Sequence, residues 1–115
     1  KEFFEGDREI FVHAWLRPDV PVDRESADQL RWTRFEGASL PHCSGKRVIC
    51  GHTAQRDGRP VGNAHYVCID TSVYTPSEGC LTALDVGADV VWQASQTGRH
   101  RGPIPLAEVL KSRPS

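Results

Sequence analysis

The sequence has no methionine, and its first residue is Lys1. We read that start as a point inside a longer gene product. No apolar run approaches the ~20 residues needed to span a bilayer, and no charged segment leads into a short hydrophobic stretch. Neither a membrane anchor nor a secretory leader is expected. Charge of one sign is also missing, since 14 Lys and Arg stand against 15 Asp and Glu for a formal net charge of −1. That balance excludes a polycationic arm for nucleic-acid polymers and the disorder of a self-repelling chain. The four cysteines, Cys43, Cys50, Cys68 and Cys80, contain no C-x-x-C pair, which argues against a zinc knuckle or a disulfide framework. Cys50 and Cys68 sit in apolar runs, where a thiol acts as a small hydrophobe. The set reads as the reduced thiols of a cytoplasmic protein. No internal repeat appears, and 115 residues have room for one core.

What is present is a series of short β-type runs. "REIFVH" (8–13), "RVIC" (47–50), "HYVCID" (65–70), "CLTALDV" (80–86) and "DVVWQA" (89–94) predict five strands. Gly87 and Ala88 between the last two predict a tight antiparallel hairpin. Pro18 and Pro21 forbid helix after the first run. Ser26 followed by Gln29 is a capping box, opening a short helix with Ala27, Leu30 and Arg34 on one face and an end before Gly37. Segments 37–46, 53–64 and 96–103 read as loops, and "IPLAEVLKS" (104–112) offers about two helical turns. The expected class is α+β, mostly β, with about five strands and one or two short helices. With so little helix, one sheet face is short of cover.

Two histidines follow strands: His13 after "IFV" and His52 after "VICG". A side chain at a strand end is held by the sheet while it projects into the loop layer where sites are built. Two such imidazoles on neighbouring strands suit a transition metal, with Gly51 allowing close approach. A hydrogen-bonded structural histidine competes with this reading, and spacing alone does not separate them. A zinc-bound β-domain using Cys43, Cys50 and nearby histidines lacks any knuckle spacing.

The segments "IFVHAWLRPDVPVDRESADQLRW", "SGKRVICGHTAQ", "CIDTSVY" and "LTALDVGADVVWQA", in this order, resemble the second half of bacterial calcineurin-like metallophosphoesterases. The branch they look most like is that of serine/threonine protein phosphatases, which also includes symmetrical diadenosine tetraphosphatases. The resemblance implies that residues 1–98 are the C-terminal half of a four-layer α/β/β/α sandwich and 99–115 a tail with a short helix. By similarity, His13 of F-V-H-A and His52 of G-H-T bind the same ion of a dinuclear pair. The implied cofactors are two divalent metal ions, Mn²⁺ first, with Fe or Zn as alternatives. Ala54 stands where other branches carry a further histidine, which fits the phosphatase branch. Arg34, two residues after Trp32, resembles the arginine that grips substrate phosphate with its planar fork, with Arg31 as its rival. Asp70 of "CIDTS" is implied to orient loop amides or to support His52, and Tyr74 reads as a loop aromatic. His42 and His65 match no motif residue and are at most supporting groups, while His100 reads as solvated. Two departures stand near the site: Trp15 where the family often has a small residue, and Ser72 in place of a glycine.

The family's upstream motifs, G-D-x-H-G, G-D-x-x-D-R-G and G-N-H-E, do not occur in these 115 residues. The resemblance therefore implies a metal-dependent phosphoesterase of which this is one half, inactive alone. Its implied partners are a phosphorylated substrate, phosphoprotein or dinucleoside polyphosphate, and the N-terminal half of the same fold, in the same polypeptide or a separate chain. No nucleic-acid polymer and no membrane is expected. The alternative is a non-catalytic binding module that kept the half-fold.

Overall fold

A computed structural model describes residues 1–37 and 40–114; of the expected loop 37–46, Ala38 and Ser39 lie outside the described residues, as does Ser115 of the tail. The described residues form strands β1 (Phe3–Glu5), β2 (Glu9–Val12), β3 (Arg47–Cys50), β4 (Val61–Gly62), β5 (Tyr66–Cys68), β6 (Leu81–Asp85), β7 (Val90–Ala94) and β8 (His100–Pro105). Two short α-helices, α1 (Ala27–Trp32) and α2 (Leu106–Val109), and a 3₁₀ turn over Val22–Arg24 complete them. The architecture is α+β and mostly β. No helix among the described residues is long and apolar enough to cross a membrane.

One sheet has five strands in the order β1-β2-β3-β5-β4. Its centre is parallel, with Ile10 opposite Val48 and Cys50 opposite Cys68, while β1 and β4 run antiparallel at the edges. Because side chains alternate along a strand, Ile10, Val12, Val48, Cys50, Tyr66 and Cys68 face one side. The connection between β2 and β3 covers them with Trp15, Leu16, Val22, Leu30 and Phe35. Trp15 packs edge-on to Phe35 at 4.7 Å and tilted against Tyr66 at 4.8 Å, contacts of about 0.5–1.5 kcal/mol each beyond burial. Ser26 caps α1 as expected, its hydroxyl accepting from the Gln29 N–H at 3.1 Å.

The other side carries Ile49 and Val67, with Phe11 and Ile69 partly buried beside them. It packs on Val91, Leu84, Ile104, Leu106 and Val109 of the antiparallel sheet β6-β7-β8 and α2. Both faces of the larger sheet are therefore covered, and the shortage falls on the outer face of the smaller one. There Leu81 lies opposite Ala94 and Ala83 opposite Trp92, all exposed, with Leu81 at 63% and Trp92 at 43%.

Several expectations are corrected. Eight strands replace about five, because β1 and β4 are very short edges and β8 arises from a stretch read as loop and helix start. Pro103 and Pro105 are compatible with β8 since it is an edge strand. The β6–β7 hairpin exists, but its turn spans four residues, 86–89. The Asp85 carboxylate accepts from the N–H groups of Gly87 and Ala88 at 2.9 and 3.0 Å, and Asp89 closes the turn at φ = +53°. Helix α2 is a single turn, since Lys111 leaves it to pair with β4: its N–H bonds Pro60 O and its carbonyl accepts from Gly62, both at 2.9 Å. Helix α1 ends at Trp32, so Arg34 lies beyond it in an extended segment instead of on its face.

Candidate metal centre

The parallel strands β2, β3 and β5 end at the same edge of the sheet, so the residues that follow them, His13, Gly51-His52 and Asp70, share one end of the molecule. This is the edge where sites gather in open parallel sheets. The Gly51 N–H donates to the His13 carbonyl at 2.8 Å, joining the two histidine segments through backbone. A Cβ on residue 51 would lie 3.3 Å from that carbonyl oxygen, tight enough to push the segments apart.

The backbone then folds on itself. The Thr53 N–H reaches back to Gly51 O at 2.7 Å with His52 between them at φ = +66°. This is a three-residue γ-turn with a left-handed apex, an uncommon and strained conformation for a residue with a Cβ. It turns the imidazole of His52 toward that of His13. His13 Nε2 and His52 Nδ1 lie 3.3 Å apart with ring planes at 61°.

Two imidazole nitrogens at ~2.1 Å from one ion are about 3.0 Å apart at an octahedral angle and about 3.4 Å at a tetrahedral one. The observed separation falls between these. The residues present therefore fit two donors to a single ion. In the metal-free chain the same distance lets one ring N–H donate to the other ring's lone pair. The remaining ring nitrogens, His13 Nδ1 and His52 Nε2, have no hydrogen-bond partner among the described residues. No group of three or more His, Cys, Asp or Glu side chains converges among the described residues.

Beside the pair lies a hollow of ≈590 Å³ whose walls include Phe4, Phe11, His13, Arg31 and Trp32. Trp32 is 68% exposed and meets the His52 ring edge-on at 6.0 Å. Arg31 is committed to Glu2 by a two-pronged contact, Nε on Oε2 at 2.8 Å and Nη2 on Oε1. The hydrogen bond from Arg31 holds the Glu2 carboxyl below its ordinary value. Arg34, by contrast, is exposed and has no hydrogen bond or ion pair among the described residues. Its neighbour Phe35 is tied to the His52 turn, the Phe35 N–H donating to Thr53 Oγ1 at 2.7 Å in a buried site. Sequence reasoning assigned Thr53 no role, although it is the third letter of G-H-T.

Asp70 accepts through Oδ1 from the Ser72 N–H at 3.2 Å, so it orients a loop amide; its carboxylate bonds neither imidazole among the described residues. Ser72 has φ = +58°, a conformation natural to the glycine expected there. Trp15 is buried in the opposite core and does not intrude on the site. His42 is buried between Val20 O and the Ser44 hydroxyl at 2.8 and 2.7 Å. His65 precedes β5 and so lies at the far edge of the sheet. Neither supports the pair. His100 is exposed in β8, and Tyr74 is exposed in the loop after Asp70. All four cysteines are free, with Cys43 exposed. The Cys50 thiol is pushed up by its hydrogen bond with Cys68 and by burial, in keeping with an apolar role. No protein-family model, curated protein or solved structure matches the chain.

Proposed function

We propose that the chain is the C-terminal half of a calcineurin-like metallophosphoesterase of the serine/threonine protein phosphatase kind, hydrolysing phosphomonoesters or dinucleoside polyphosphates when complete. The observation that carries this reading is the His13–His52 pair at 3.3 Å on adjacent strand ends. The layering supports it as well. In this reading the partly helical connection, the five-stranded sheet and the three-stranded sheet correspond to three layers of an α/β/β/α sandwich, and the bare apolar face of β6–β8 is where a fourth would rest.

In this reading His13 Nε2 and His52 Nδ1 offer lone pairs to one divalent ion, with Mn²⁺ the first candidate. Bound divalent ions polarise the phosphate and make water nucleophilic near neutral pH. Arg34 supplies a guanidinium for the phosphate oxygens, and Asp70 shapes the adjoining loop. The N-terminal half supplies the remaining ligands, so the isolated chain is inactive. A second reading, a non-catalytic module, draws on the exposed aromatic side chains of Trp32 and Tyr74. Finding G-D-x-H-G encoded upstream of Lys1 decides for the enzyme.

Replacing His52 with Asn tests the proposal in the complete protein, because Asn tolerates a left-handed backbone and leaves the turn intact. Mn²⁺-stimulated hydrolysis of a chromogenic aryl phosphate should disappear. Unchanged turnover would sink the assignment.

A further inference from the structure

We infer that Thr53 is the positioning residue for Arg34: its buried hydroxyl ties the backbone beside that arginine to the turn carrying His52, so that phosphate grip and ion binding form one rigid unit. This rests on the phosphoesterase reading above. Thr53 is 1% exposed, and its Oγ1 accepts the Phe35 N–H at 2.7 Å from a segment 18 residues earlier. Its backbone groups serve the turn instead. The N–H bonds Gly51 O at 2.7 Å, and the carbonyl accepts from Gln55 Nε2 at 2.8 Å and the Cys68 thiol at 3.5 Å.

The segment that bears Arg34 is thus held on both sides. Trp32 lies against His52, and Phe35 is pinned by its N–H on Thr53 and its ring on Trp15 at 4.7 Å. Arg34, between these anchors, is exposed. A guanidinium fork must meet two phosphate oxygens together, so a loosened backbone weakens it more than it would a single point charge. Removing only the hydroxyl leaves the Phe35 N–H without a partner and frees the segment from the turn.

Thr53→Val in the full-length enzyme should raise the inhibition constant for inorganic phosphate, and KM for an aryl phosphate, by about tenfold, the size of effect seen when a supporting partner of a ligand is removed. The Mn²⁺ requirement should not change, and Thr53→Ser should restore phosphate affinity. In an Arg34→Ala background, Thr53→Val should cost nothing further, because its effect passes through the guanidinium. The inference is overturned if Thr53→Val costs the same factor in both backgrounds, or if Thr53→Ser fails to rescue. Should Thr53→Val not fold, Thr53→Ala reads the same coupling in the same cycle. A wild-type full-length protein that neither cleaves aryl phosphate nor binds phosphate brings down the phosphoesterase reading itself. Intact wild-type catalysis with additive costs brings down only the role of Thr53.

Discussion

Truncating a half-buried side chain ordinarily destabilises a protein, and His52→Gly should do the opposite. His52 sits at φ = +66°, where a Cβ costs about 1–2 kcal/mol relative to right-handed backbone; glycine avoids that cost. Against it, glycine gives the unfolded chain extra freedom worth roughly 0.5–1 kcal/mol. The lost contacts with Trp32 and His13 lie at the rim of the site. The balance for metal-free protein is a gain of about 0.5 kcal/mol, where an average substitution loses about 1 kcal/mol. With a urea dependence of roughly 1.5 kcal/mol/M, the unfolding midpoint should rise by about 0.3 M. Zn²⁺, which imidazole binds well, should reverse the order. An ion that binds only the native pair at 100 times its dissociation constant stabilises the wild type by about 2.7 kcal/mol. His52→Gly, with one imidazole left, should gain little. A metal-free midpoint at or below the wild type refutes the strain argument, and equal Zn²⁺ shifts in the two proteins refute the paired site.

Two further outcomes follow from packing and charge. Gly79→Ala would set a Cβ 1.8 Å from Ser72 O and 2.7 Å from Thr75 O, backbone atoms that cannot rotate away. It should cost at least about 3 kcal/mol in urea unfolding, while Gly6→Ala, whose nearest atoms are 3.6 Å away, should be nearly neutral. For Asp57, partial burial pulls the carboxyl upward, but the Lys111 hydrogen bond at 2.9 Å, the Arg59 N–H and both positive charges together hold it below its usual value. A depressed carboxyl contributes stability above its unfolded value of about 3.9 and loses it as pH falls through the folded one. The carboxylate side chain is 39% exposed, so Lys111→Met should lower stability by only a few tenths of a kcal/mol at pH 7. That difference should vanish in denaturation titrations run in acid below the folded value.

Local pattern determined a good part of this protein. The short β-type runs "REIFVH", "RVIC" and "HYVCID" placed three strands, and Ser26 with Gln29 placed the start of α1, because strand propensity and helix capping are properties of neighbouring residues; that the three strands pair in parallel came only with the fold. His13 and His52 could be named from their motifs. Only the tertiary structure brought their nitrogens to 3.3 Å, since that distance depends on β2 lying beside β3 in register. Strands β1, β4 and β8 escaped the pattern because an edge strand is made by the neighbour it bonds, and Gly102 and Pro103 resemble loop until β7 is there to pair with. Trp15 stands two residues after His13, where the resembled family often has a small residue. It lies past the end of β2, in the connection that covers the sheet, and packs against Phe35 and Tyr66. The left-handed turn at His52 and the hydroxyl of Thr53 on Phe35 N–H were likewise beyond the sequence: one is closed by a backbone hydrogen bond, and the other joins residues that meet only after the sheet has formed.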